Sequence, residues 1–294
     1  MEALFEACGP LLLKRDYPLS RISFVGTRGR VALLCMPRNV DAMVNLLAEI
    51  EKSGYPYVVF GLSSNILWGD GFFHGVAVST RLMSEIEVSD GLVVCDAGVR
   101  LSRLVKFCAE RGLAGAEQLW GIPGTVGAAA VMNAGAFGRE FGEFVEAVEC
   151  WVDGVRVLLG RDELEFGYRE SNLRGKVVLK LWLRFAKGKV NLKKLSELSR
   201  IRKQKFPGGR TLGSVFKNPF PFYAGRLIEE AGLKGYSVGR VEVSSRHANF
   251  IVSSPGAGAA EYANLISLVK RRVFESRGIL LREEIVYAGS FLEG

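Results

Sequence analysis

GIPGTVGAAAVMNAGAFG, residues 121–138, holds five glycines (Gly121, Gly124, Gly127, Gly135 and Gly138) and five alanines (Ala128, Ala129, Ala130, Ala134 and Ala136) in 18 positions. Side chains no larger than a methyl let a planar ligand lie against backbone amides and carbonyls. A tightly packed helix start and turn would also use small residues, but Pro123 and Asn133 among so many glycines favour a ligand-bearing loop. Two further loops flank it. GLSSN (61–65) directly follows the strand-like run Tyr55–Phe60, and its small residues allow N–H groups to approach a phosphate. LGSVFKNP (212–219) places a hydroxyl, an ammonium and a carboxamide within five positions, ahead of a helix. Read alone it is a surface loop; as a strand it would put Ser214, Phe216 and Asn218 on one face.

The pattern around these loops is mixed helix and strand. Val31–Met36 reads as a strand, Asp41–Gly54 as a helix, and Tyr55–Phe60 as the strand that completes a βαβ unit. Gly75–Ser79, Ile86–Val88 and Leu92–Asp96 read as strands, and Ser102–Gly112 as a helix. Strand signals return at Phe144–Val152, Val155–Leu159 and Val177–Phe185. Leu192–Lys205 is a basic helical connector, and a domain boundary is expected near residue 200. Beyond it come helices at Ala224–Glu230 and Ala259–Arg277 and short strands at Val241–Val243, Phe250–Val252 and Ile285–Tyr287.

Composition narrows the classes. Of 294 residues, 48% are hydrophobic and 24% charged, which fits a folded chain of about two domains. Lys plus Arg exceeds Asp plus Glu by 39 to 31, a mild excess suited to anionic small molecules. The basic cluster at Arg200, Arg202, Lys203, Lys205 and Arg210 reads as a solvated face, so no nucleic-acid partner is expected. Five cysteines (Cys8, Cys35, Cys95, Cys108 and Cys150) without CxxC spacing, and only His74 and His247, argue against a disulfide framework and a metal site. The N-terminal residues lack a signal peptide's pattern and no stretch is long and apolar enough to span a membrane, so a soluble, cytoplasmic protein is expected. GxGxxG, a P-loop, GxSxG and HExxH are all absent.

Taken together and in order, the loops resemble the UDP-N-acetylenolpyruvoylglucosamine reductase family. The matching pieces are GLSSNIL (61–67), GIPGTVGAAAVMNAGAFG (121–138), FGYRES (166–171), LGSVFKNP (212–219), AGRLIEEAGLKGY (224–236), SSRHANFIV (244–252) and LREEIVYAG (281–289). The resemblance implies an α+β chain. Residues 1–200 would form an FAD-binding domain of the vanillyl-alcohol-oxidase type, made of two α+β subdomains split near residue 80. Residues 201–294 would form a C-terminal α+β substrate-binding domain. Where the family commonly has glycine, Ser63, Ala128 and Ala129 stand here. Thr27-Arg28-Gly29 replaces an early Gly-Gly turn, and Val286 stands where some members have Arg. The spacing between FGYRES and LGSVFKNP fits the shorter of two subclasses.

The implied chemistry is reduction of UDP-N-acetylglucosamine enolpyruvate to UDP-N-acetylmuramate for peptidoglycan, with noncovalent FAD and NADPH. Gly61, Leu62, Ser63, Ser64 and Asn65 would serve the flavin diphosphate. Gly121, Ile122, Pro123, Gly124, Thr125, Gly127, Ala128, Asn133, Ala134 and Gly135 would serve its ring. Arg169 matches the family's catalytic arginine, whose planar fork suits a carboxylate. Ser214 matches the proton donor and Glu284 the catalytic carboxyl, with Glu283 as its rival; the spacing from Leu281 favours Glu284. Lys217, Asn218, Arg226 and Lys234 would hold the UDP-sugar, with Tyr168 near the site; Arg226 also reads as an exposed helix residue. His247 reads as a structural hydrogen-bonder. A monomer is expected. The competing readings are a flavin oxidase on the same fold, with covalently tethered FAD, and a non-catalytic nucleotide- or FAD-binding protein.

Overall fold

The computed structural model describes residues 11–188, 190 and 192–291; Cys8 lies outside them. Contacts divide the chain into two compact units. The first holds residues 11–14, Leu33–Leu62 and Gly75–Arg200. The second holds Arg15–Ala32, Ser63–His74 and the chain from Ile201 on.

β1 (Leu11–Pro18), β2 (Arg30–Pro37), β3 (Tyr57–Phe60) and β5 (Phe72–Ser79) form a sheet in the order β1-β2-β5-β3, of which residues 11–14, 33–37, 57–60 and 75–79 belong to the first unit. The expected βαβ unit is present, with α1 at Val40–Ser53, but β5 lies between its two strands and pairs parallel with β3. Asn39 starts α1 by accepting the Ala42 N–H through its side chain at 2.9 Å. The sequence reading missed β1, whose apolar run breaks at exposed Lys14, Arg15 and Asp16. It also missed β4 (Ile66–Trp68), which belongs to the second unit.

A second sheet follows the order β9-β8-β10-β7-β6, with β6 at Ile86–Ser89, β7 at Leu92–Asp96, β8 at Val145–Val152, β9 at Val155–Gly160 and β10 at Val177–Leu183. Met43, Leu46, Leu47 and Ile50 of α1 pack with β2 and β5 residues and with Trp151 and Leu179. Another cluster joins this sheet to α2 (Leu101–Glu110) and α3 (Val126–Val131) through Leu104, Val105, Cys108, Ala129 and Ala130. The alanines of the glycine-rich stretch are therefore also packing residues, because only small side chains let α3 lie so close. Cys35, Cys95, Cys108 and Cys150 are buried and form no disulfide. Burial pushes the Cys108 and Cys150 thiols up to about 12, so neither is a thiolate near neutrality.

The second unit is built on α6 (Ala259–Arg277), preceded by α4 (Leu192–Lys205), whose C-terminal part enters this unit, and α5 (Ala224–Glu230). Tyr262, Leu265, Ile266, Val269 and Val273 recur at helical spacing and pack against α5 and a small antiparallel sheet. That sheet is β11 (Ser237–Val238), β12 (Val241–Val243) and β13 (Ile251–Ser253). β4 pairs parallel with β14 (Val286–Ala288), in register Ile66 with Val286. Among the described residues no helix is long and apolar enough to cross a membrane, and no group of His, Cys, Asp and Glu could hold a metal ion.

Gly98, at the turn into α2, sits so close to the backbone carbonyl oxygens of Thr80 and Met83 that a Cβ would overlap both. Backbone oxygens cannot swing aside. Gly98→Ala is expected to cost about 3 kcal/mol, the upper end for overpacking, read as a lowered urea midpoint with unchanged slope; a loss below about 0.5 kcal/mol would contradict this packing.

Candidate functional site

In the first unit, β3 ends at Gly61, whose Cα lies against the Thr125 side chain; a Cβ there would overlap Thr125 Oγ1. The Gly61 carbonyl accepts from Ser79 Oγ at 2.9 Å. Two of the three loops singled out in the sequence thus touch, GLSSN through its first residue and the glycine-rich stretch through Thr125. Gly127 N–H donates to the Ala97 carbonyl at 2.9 Å, joining the end of β7 to the first turn of α3. Thr125 is 1% exposed and precedes α3, yet its hydroxyl caps nothing and has no hydrogen-bond partner; the buried Thr80 hydroxyl has none either. Buried hydroxyls left unpaired are unfavourable unless a ligand or water completes them. Small residues, close backbone and unmet hydroxyls fit the flavin dinucleotide that the sequence resemblance implies, with Gly61, Thr125 and Gly127 among the residues that would hold it.

The same unit carries Arg169. Its backbone is left-handed, with φ 58°. Its guanidinium donates to the Gly135 carbonyl at 2.9 Å and the Asn133 carbonyl at 3.4 Å, and lies 5.3 Å from the Tyr168 ring centre. FGYRES is therefore bound to the glycine-rich stretch. Asn133, 1% exposed, is the hub: its amide donates to Glu140 Oε2 and to the Gly167 carbonyl, both at 2.8 Å, and its oxygen accepts from Gly142 N–H at 2.9 Å. Its carboxamide is spent on the protein, leaving backbone to meet a ligand. Ala134 is likewise tied by backbone, its N–H to Ala129 and its carbonyl to Phe141 N–H. Gly121, Pro123 and Ala128 are exposed, Gly124 is buried, and half-buried Ile122 packs on the core.

In the second unit, LGSVFKNP runs between two other segments. On one side Ser214 bridges Phe250, and Val215 N–H donates to the Asn249 carbonyl at 2.9 Å. On the other, Glu284 N–H donates to the Val215 carbonyl at 2.8 Å and Lys217 N–H to the Arg282 carbonyl at 2.9 Å, with Phe216 bridging Glu283. Ser214 and Glu284 are thus on neighbouring segments. The rival Glu283 is ion-paired with Lys270 of α6 at 2.7 Å.

Asn249 was missed as a site residue, although it stands in the quoted SSRHANFIV. It is 4% exposed, and its carboxamide accepts the Phe216 N–H at 3.0 Å while donating to the Phe216 carbonyl at 2.8 Å. One side chain thereby satisfies both backbone groups of a fully buried strand residue. His247 Nδ1 accepts the Asn249 N–H at 3.3 Å, and its ring packs against both Phe206 and Phe250, which also stack on each other. Burial lowers its pKa, consistent with a neutral structural imidazole.

The remaining candidates divide. Asn218 Oδ1 accepts the Ala224 N–H at 3.0 Å and so holds the start of α5. Arg226 is exposed and pairs with Glu230 at 2.8 Å; Lys234 pairs with Glu229 at 2.9 Å. Ser63, where the family commonly has glycine, is left-handed at φ 65° and 3% exposed, and its Oγ accepts from Trp68 Nε1 at 2.5 Å. Ser64 and Leu62 are half-buried. In place of the Gly-Gly turn, Thr27 is buried with an unpartnered hydroxyl, and Arg28 N–H donates to Asp70 Oδ1 at 2.9 Å. Val286 is 42% exposed.

Asn249→Ala would strand the buried N–H and carbonyl of Phe216. It is expected to cost about 2–4 kcal/mol, the desolvation penalty of two groups, measured as a shift of the urea midpoint; a change within about 0.5 kcal/mol would show that Phe216 does not depend on it.

Comparison with known proteins agrees with this architecture. The family model for the C-terminal domain of UDP-N-acetylenolpyruvoylglucosamine reductase matches residues 204–288, and that for an FAD binding domain matches residues 31–164. The UDP-N-acetylenolpyruvoylglucosamine reductase of Caldanaerobacter subterraneus subsp. tengcongensis is 36% identical over 278 residues, covering 92% of each chain. That of Thermotoga sp. (strain RQ2) is 36% identical over 97% of this chain and 95% of its own. The crystal structure of the enzyme from Thermus caldophilus superposes with a TM-score of 0.79 at 32% identity, over 95% of this chain and 99% of that one. The chain is an oxidoreductase with an FAD-binding domain, and it belongs to the UDP-N-acetylenolpyruvoylglucosamine reductase family.

Proposed function

We propose that this chain reduces UDP-N-acetylglucosamine enolpyruvate to UDP-N-acetylmuramate, drawing electrons from NADPH, as a step of peptidoglycan precursor synthesis in the cytoplasm, and that it works as a monomer. The observation that carries the reading is the pairing of the Ser214 segment with the Glu284 segment, which puts Ser214 and Glu284 on neighbouring, hydrogen-bonded segments. FAD, held by residues that include Gly61 and Thr125, would supply the hydride chemistry between the nicotinamide and the enolpyruvyl group.

The protein's own groups have three tasks. Arg169 holds the substrate carboxylate; charge grows on that group as the double bond is reduced, so a bidentate cation binds the transition state more strongly than the substrate. Ser214 delivers a proton to the carbon beside the carboxylate; that carbon is strongly basic when charged, so geometry outweighs the weak acidity of a hydroxyl. Glu284 works next to a second carboxylate and must be protonated or paired with a cation to avoid repelling it. The spacing from Leu281 favours Glu284 over Glu283 for this role. Lys217 and Asn218 stand three and four positions after Ser214 and serve the diphosphate and sugar, Asn218 through its amide donors since its oxygen accepts the Ala224 N–H. Arg226 and Lys234 join them only by exchanging their glutamate partners for the substrate, a step that salt would screen.

Ser214→Ala is expected to slow substrate reduction by at least ~10²-fold while NADPH still reduces the flavin, read by anaerobic stopped-flow absorbance; an undiminished second half-reaction would overturn the proton-donor role. Arg169→Lys is expected to lower kcat for the substrate by at least ~10-fold, because an ammonium cannot make two parallel bonds to a carboxylate. A rise in KM with unchanged kcat would show that Arg169 only binds.

A further inference from the structure

We infer that Asn65 and Ser63 are positioning residues for Glu284, so that the loop read as a diphosphate cradle also sets the catalytic carboxyl. The inference rests on the reading of Glu284 as catalytic. Asn65 makes two bonds that straddle the residue after Glu284: its side-chain amide donates to the Glu284 carbonyl at 3.0 Å, and its carbonyl accepts the Val286 N–H at 2.9 Å. The Glu284 N–H is already given to Val215 at 2.8 Å. Both backbone groups of Glu284 are therefore committed, one to the Ser214 segment and one to the loop. From Val286 onward the register continues as the parallel pairing of β14 with β4.

Ser63 fixes the other end of the same turn. A left-handed backbone is disfavoured for a residue with a Cβ, and persists where its surroundings over-determine it. Here the Ser63 hydroxyl is the acceptor for the indole N–H of Trp68, which is fully buried. Trp68 lies in register with Ala288 of β14. Asn65 is thus bound directly to Glu284 and to the first residue of β14, and Ser63 to β4, the parallel partner of β14, so a displacement of the turn is carried to Glu284. Loss of a single donor, the Asn65 amide, would remove this bond to the Glu284 carbonyl while leaving its carboxyl chemically intact.

The test uses the full-length protein carrying Asn65→Asp, which keeps the shape but removes the donor, with Ser63→Gly as a second variant. Amide hydrogen exchange over residues 284–286, with and without FAD, is the readout independent of turnover. It is expected to quicken at least ~10-fold in both variants while α6 amides keep their protection. In stopped-flow at saturating FAD, Asn65→Asp is expected to slow the substrate half-reaction at least ~10-fold more than the NADPH half-reaction. Unchanged exchange at 284–286, or an equal loss in both half-reactions together with weakened FAD affinity, would overturn the inference and leave the loop a cofactor cradle alone. Wild-type protein that binds FAD but does not turn over the enolpyruvyl substrate would instead remove the catalytic reading, while faster exchange in the variants would still uphold the positioning of residue 284.

Discussion

The Glu284 N–H lies 2.8 Å from the Val215 carbonyl, and the second unit is organised around keeping those two strands in register. A short, isolated pairing of this kind cannot hold itself; two or three residues of ladder are marginal without packing on at least one face. Asn249 locks Phe216 from one side, Asn65 locks Glu284 from the other, and Phe216, Val215, Leu281 and Ile285 are buried in the core built on α6. Three asparagines do comparable work in the protein, since Asn133 ties together 133, 140, 142 and 167 beside Arg169. The carboxamide suits this task because it offers donors and an acceptor without the desolvation penalty of a charge.

Much of the fold was legible from residue pattern. The helices at 192–205, 224–230 and 259–277 and the strands at 92–96 and 241–243 match the reading of the sequence because their apolar spacing is regular and their ends are marked. What escaped has long-range causes. β4 is three residues long and finds its parallel partner some 220 positions later, which no local period announces. The same is true of segments 15–32 and 63–74, which pack with the C-terminal unit despite standing early in the chain.

The candidate site was legible in a different way. The residue types at Arg169, Ser214 and Glu284 came from motif likeness, and the structure adds that the rival Glu283 is ion-paired with Lys270. Pattern did not reveal that Asn133 spends its side chain and Asn218 its amide oxygen on the protein, or that Asn249 carries the Ser214 segment. A motif records which residues recur without recording whether each touches a ligand or a neighbour. Ser63 shows the converse. Its departure from glycine looks like a weakness in sequence, yet the buried Trp68 indole gives the hydroxyl a structural use.

The chemistry stands or falls on two electrons entering from a nicotinamide and leaving to an enolpyruvyl ether. The direct measurement is anaerobic visible absorbance of the purified protein, with NADPH added first and UDP-N-acetylglucosamine enolpyruvate second. The account requires the flavin band to bleach and then to return. Bleaching without return would contradict the substrate assignment, and a colourless protein that takes up no FAD would contradict the cofactor cradle at Gly61 and Thr125 itself.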